Sequence, residues 1–148
     1  MGYLAAVTLR QAVQAQLVAD LTGYKRSIYP YDLFPAAGRP FEHKAFAVGL
    51  SDTTSYVSTD RQRLSLGTPA QCDILIGYTY RLRADNLVGD YDTALTAEQD
   101  IIQSAMSTAN TSLVSLTFVS ASRTVEAEGT VYQGTIQIRA TFRLQLQD

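Results

Sequence analysis

The chain has 148 residues, a length that suits one domain and lets roughly two thirds of the unfolded surface be buried without disulfides or a structural metal. A formal net charge of −2 argues against a generic nucleic-acid binder, and the longest apolar runs, such as Ile74-Leu75-Ile76, fall far short of a membrane span. Met1 to Val7 carries no basic lead and no long apolar stretch, so a soluble chain without a signal peptide is expected.

Thr8 to Leu21 is predicted as a first helix. Leu9, Val13, Leu17 and Leu21 recur every four residues, and Ala12 and Val18 widen the stripe. Thr8 with Gln11 fits a capping box, and Gly23 fits a left-handed cap at the far end. Tyr24 to Glu42 mixes aromatics with Pro30, Pro35, Gly38 and Pro40, which favours turns and extended chain, with a short strand near Ser27 to Tyr31. Lys44 to Leu50 alternates as a strand that turns Phe46, Val48 and Leu50 to one side. Ser51 to Gln71 is polar and reads as a long loop or loose hairpin, a kind of segment that often binds something or orders on assembly.

Cys72 to Leu82 is a strong strand, with Cys72, Ile74, Ile76, Tyr78, Tyr80 and Leu82 on one face and Gly77 leaving room for a neighbour. The single cysteine excludes an intrachain disulfide, and its place in this alternation predicts a buried small hydrophobe. After a turn at Gly89, a second helix is expected from about Tyr91 to Ala109, capped by Asp90 or Asp92, closed by Asn110 and buried through Leu95, Ile101, Ile102, Ala105 and Met106. A long hairpin follows: Leu113 to Val125, a turn region holding Gly129 and Gly134, then Thr135 to Gln147. In the last strand Ile136, Ile138, Ala140, Phe142, Leu144 and Leu146 alternate with polar residues, so its register should be firmly set. The fold class is therefore α+β: a largely antiparallel or mixed β-sheet flanked by two main α-helices, with residues 1–148 forming one domain.

Residues with recognisable catalytic chemistry are few. His43 could pair with Ser51 and Asp52 as a catalytic group, but nothing resembles a nucleophile elbow, and a hydrogen-bonded or solvated loop histidine is the simpler reading. Asp85, Asp90 and Asp92 could be imagined around a hard metal ion, yet the spacing of a calcium loop is missing. There is no phosphate-binding glycine loop and no cysteine-histidine cluster, so no catalytic residue, cofactor or metal is expected.

Charge is unevenly placed. No Lys or Arg lies between Arg83 and Arg123, while Asp85, Asp90, Asp92, Glu98 and Asp100 all do. Arg81, Arg83, Arg139 and Arg143 flank that acidic stretch on strands, and with it they form a candidate subunit interface in which one copy's arginines meet the next copy's acids. The bland alternative is a solvated strand face; a third is a channel wall past which DNA moves without sequence-specific binding.

Asp73 to Asp85, followed by Asp90-Tyr91-Asp92 and the helix containing Leu95, Ile101 and Ile102, resembles the middle of tail terminator proteins of long-tailed bacteriophages. The amphipathic opening helix and the strand Gly134 to Leu146 are similar to the same family. The resemblance implies a virion protein made in the host cytoplasm, in which a homo-oligomer, a hexameric ring, caps the head-proximal end of the tail tube. Its implied partners are the tail tube protein and the head-tail connector or neck protein, with no membrane. The loops near 29–42 and 51–71 match nothing in that family pattern. Other neck, head-completion or tail-tube subunits are the nearest alternatives, and a small ligand-binding domain or enzyme is the more distant one.

Overall fold

The structure, a computed structural model, describes residues 6–34, 42–55, 68–108, 113–126 and 130–144. Helix α1 (Ala6–Asp20) lays Leu9, Val13 and Leu17 into the core with no exposed surface, as their four-residue spacing requires. Thr8 lies inside α1, so it is not the predicted cap, and Val18 faces outward at the margin of the stripe. Just past the helix, Gly23 takes φ +89°, a left-handed conformation that a side chain would strain.

The strands are β1 (Lys25–Arg26), β2 (Ala45–Leu50), β3 (Thr54–Ser55), β4 (Thr68–Arg81), β5 (Leu113–Glu126) and β6 (Val131–Leu144). They form one sheet in the order β1-β2-β4-β6-β5, with β3 pairing the start of β4. Among the described residues only β1 runs parallel to its neighbour and the other pairings are antiparallel, so the sheet is mixed. The short strand expected near Ser27 falls two residues earlier, and Ser27 extends it by donating its N–H to the Phe46 carbonyl. The expected loop from Ser51 carries β3 at its start, and β4 begins four residues before Cys72, so both ends of this segment are paired; residues 56–67 lie outside the described residues.

Helix α2 (Leu87–Met106) begins four residues earlier than predicted, after a 3-10 turn at Ala84–Asn86. Gly89, a turn signal in the sequence, sits inside the first turn of α2, where a Cβ would come within 2.6 Å of the Asn86 amide. The predicted closing residue, Asn110, lies outside the described residues. Gly134 also departs from expectation: it belongs to the interior of β6, opposite Tyr78, whose ring would stand 2.1 Å from an added Cβ. A glycine read as a turn residue is here a gap that a tyrosine fills.

Both helices cover the same face of the sheet. Their apolar stripes meet Phe46, Val48, Ile74, Ile76, Tyr78, Ile136, Ile138 and Phe142 in one core cluster. Each fully buried large side chain in that layer contributes about 2 kcal/mol relative to exposure. On the opposite face, Phe34 with Tyr29 and Tyr31 covers Ala45 and Ala47, with Phe34 also seated against Gly77. The β5–β6 part of that face is polar, because the register aligns Ser115 with Thr141, Thr117 with Arg139, Ser120 with Gln137 and Ser122 with Thr135.

Candidate subunit interface

The acidic stretch divides into two groups. Asp90 lies in the first turn of α2 rather than at its cap, is almost wholly buried, and faces Arg83. Its carboxylate accepts the Arg83 backbone N–H at 2.7 Å, two guanidinium N–H groups at 3.0 and 2.9 Å, and the Asn86 amide at 3.2 Å. These bonds, the Arg83 side chain first, hold the Asp90 carboxyl down to about 2 despite burial. Glu98 is likewise buried and bonded within the chain, to Arg123 of β5 with the Tyr78 and Tyr132 hydroxyls 3.5 and 3.4 Å away. Asp85, Asp92 and Asp100 are exposed and face outward.

The arginines divide in the same way. Arg83 lies beyond the end of β4, so it does not share a sheet face with Arg81. Arg139 sits on the polar face and makes a bidentate contact with Asp73, at 3.0 and 3.4 Å, while Gln137 reaches the same carboxylate at 2.5 Å. Arg81 is exposed at the last position of β4, and Arg143 stands opposite Pro69 in the β4–β6 ladder. The structure therefore brings Arg83 to Asp90 inside one subunit and leaves Asp85, Asp92, Asp100 and Arg81 on its surface. Sequence reading missed the Asp73–Arg139 and Glu98–Arg123 pairs, since both join residues distant along the chain; the strand alternation placing Asp73 and Arg139 on polar positions was the available signal.

The other candidates resolve simply. His43 and Ser51 lie beyond opposite ends of β2, whose six residues alone span about 20 Å. The His43 Nδ1 accepts the Arg81 backbone N–H at 3.0 Å, and its ring meets Tyr80 edge-on. Burial, reinforced by the Lys44 and Arg81 cations, holds its pKa below the usual value, so it stays neutral at pH 7. Ser51 is engaged at the other end, its hydroxyl accepting the Asp73 N–H at 2.8 Å. Among the described residues no group of three His, Cys, Asp or Glu side chains is placed to hold a metal ion, and no helix is long and apolar enough to cross a membrane.

A second surface lies at the β1 end of the sheet. Because β1 pairs only with Ala45 and Phe46, the edge of β2 from Val48 to Leu50 lines a groove of about 570 Å³, walled by Arg10 of α1 and by Arg26 and Ile28. At the opposite end of the sheet β5 has no neighbour on its outer side among the described residues, and its Phe118, Val119 and Val125 remain 40–44% exposed.

No family model and no curated protein matches the chain. Among solved structures it is similar to a chain from the virion of a native gene transfer agent particle, with a TM-score of 0.60 and 20% identity, over 96% of this chain and 99% of that one. At that identity the likeness establishes the fold: an α+β sheet layered under two helices and ending in a long hairpin, shared over almost the full length of both chains.

Proposed function

We propose that this chain is a non-enzymatic structural subunit of a phage-like virion, one domain that acts as a tail terminator. In this reading a ring of copies caps the head-proximal end of the tail tube, halts tube growth and offers its far side to the head connector. The observation that carries it is the end-to-end correspondence in fold with a chain of a gene transfer agent virion, at 96% and 99% coverage. The tail terminator resemblance of Asp73 to Asp85 and the following helix narrows the role within such a particle.

The distribution of polar groups supports it. Asp90, Glu98 and Asp73, the acids with the most bonds, are each tied to an arginine of the same chain and serve to brace the fold. What remains for function is surface: two sheet ends, an acidic helix face and a polar sheet face. A polymer of identical rings stops where the last ring shows the next one a surface it cannot match. Within this proposal the interface charges are the exposed Asp85, Asp92, Asp100 and Arg81, joined by Arg83 and Arg139, whose side chains are 66% and 47% exposed although tied to Asp90 and Asp73.

Electron microscopy of the purified protein mixed with tail tubes tests this. Rings seated at one tube end, with tube growth arrested, are the expected result. Absence of tube-end binding would overturn the reading, and long self-stacked tubes would identify a tube subunit in its place.

A further inference from the structure

Strand β5 is an edge that a free subunit would be poorly served to leave open. It is 14 residues long, and among the described residues no strand pairs with its outer side. Edges of this kind are usually blunted by lysine, proline, bulges or inward charges. β5 has neither lysine nor proline; its two register shifts, between Leu113 and Ser115 and between Phe118 and Ser120, and its one inward arginine, held on Glu98, bend and anchor the strand but leave its outer side unpaired among the described residues. The helix side of the edge is apolar as well. Phe118 stands opposite Ile138 and Val125 opposite Tyr132, so both project on the core side, where α2 leaves them partly uncovered. Leu95, Ile102 and Met106 of α2 are only half-buried, and Val88 is 78% exposed.

The other end of the sheet is complementary. The groove beside β2 holds a short strand edge, where Arg10 donates to the Val48 carbonyl at 3.4 Å, together with Arg26, Asp32 and Ile28 at 81% exposure, and Val7 is exposed on the same helix as Arg10. The β5 end carries Asp92 and Glu126 at the surface and no lysine. The β5 end is apolar with two acids beside the Glu98-bound Arg123; the groove is apolar with two arginines and one acid, Asp32, so the arginines outnumber the acid there.

We infer that the β5 edge of one copy, with the adjoining apolar flank of α2, docks into the Arg10–Arg26–Ile28 groove of a second copy, extending the sheet from subunit to subunit. This rests on the ring reading above and specifies its contact. The alternative use of the edge, β5 against β5 across a two-fold axis, would set the two α2 helices side by side. Residues 84–122 contain no Lys or Arg to offset their acids, so that pairing is electrostatically opposed. A head-to-tail contact instead pairs unlike charges and leaves each copy one free surface of each kind, the condition for ring closure.

The test uses two variants of the whole chain and native mass spectrometry with sedimentation across a concentration series. One carries Phe118→Asp and Val125→Asp; the other carries Arg26→Glu and Ile28→Asp. Each alone is expected to associate at least tenfold more weakly than the unaltered protein. Mixed, they should form one-to-one dimers and nothing larger, since each retains the surface its partner has lost. The inference is overturned if either variant assembles like the parent, if the groove variant alone still dimerises through β5, or if the mixture stays monomeric. It is also overturned if the parent stays monomeric at every concentration, an outcome separate from tube-end binding, which decides the ring-cap reading itself. Circular dichroism verifies the fold. If a charged variant unfolds, Phe118→Ser and Arg26→Ser are read in the same way.

Discussion

Arg123 of β5 and Glu98 of α2 are joined by a bidentate ion pair whose carboxylate is buried while its guanidinium is 40% exposed. The pair ties the edge strand to the helix layer, and the hydroxyls of Tyr78 and Tyr132, 3.0 Å from one another, complete the carboxylate's surroundings.

Arg123→Ala should therefore destabilise the fold by leaving Glu98 buried without its cation. Breaking a fully buried pair costs roughly 3–5 kcal/mol, and water screens a half-exposed guanidinium, so a loss of about 2 kcal/mol is expected. Urea unfolding of Arg123→Ala, Glu98→Ala and the double variant measures it. The double variant should lose less than the sum of the two, and strict additivity would show that the pair does not couple.

Gly134→Ala is expected to cost about 3 kcal/mol, because its Cβ would stand 2.1 Å from the Tyr78 ring and the strand cannot yield without breaking its ladder. In a Tyr78→Leu background the same change should cost much less. Thermal melts of the four proteins decide between steric conflict and a backbone effect.

Asp90 governs acid stability. Its carboxyl titrates near 2 in the fold, chiefly because Arg83 donates to it, against an ordinary value near 4. Stability linked to Asp90 is therefore complete above about pH 4 and is lost as pH falls toward 2. Asp90→Asn should lower stability at neutral pH and flatten its dependence between these limits, as read from urea midpoints at a series of pH values. An unchanged slope would mean other carboxylates carry the acid transition.

Cys72 should be inert. It is buried on β4, and burial, assisted by the neighbouring Asp73 charge, pushes its thiol up to about 11. Alkylation by iodoacetamide at pH 8 should fail in the folded protein and go to completion in denaturant. Rapid labelling without denaturant would place the thiol at the surface.

Local pattern was legible wherever one residue's neighbours along the chain decided its role. The four-residue stripe of α1 and the alternations of β4 and β6 set which side chains are inside, and the structure buries Leu9, Val13, Leu17, Ile74, Ile76, Ile136 and Ile138 accordingly. Glycine was misread twice for one reason: Gly89 and Gly134 are small because Asn86 and Tyr78 need their space, and a turn needing φ freedom produces the same letter. The start of α2 was misplaced because Asp90 looked like a cap, when its carboxylate is held by Arg83 from the preceding turn.

The sequence by itself determined the α+β class, the two helices, the strong strands and the absence of a recognisable catalytic motif, because these follow from periodicity and residue type. Tertiary structure alone decided which charges meet and which sheet ends stay open. Glu98 finds Arg123, Asp73 finds Arg139, and β1 stops short along β2, only once strands far apart in the chain are laid side by side. Pairing across a sheet depends on register and strand order, which no local spacing encodes.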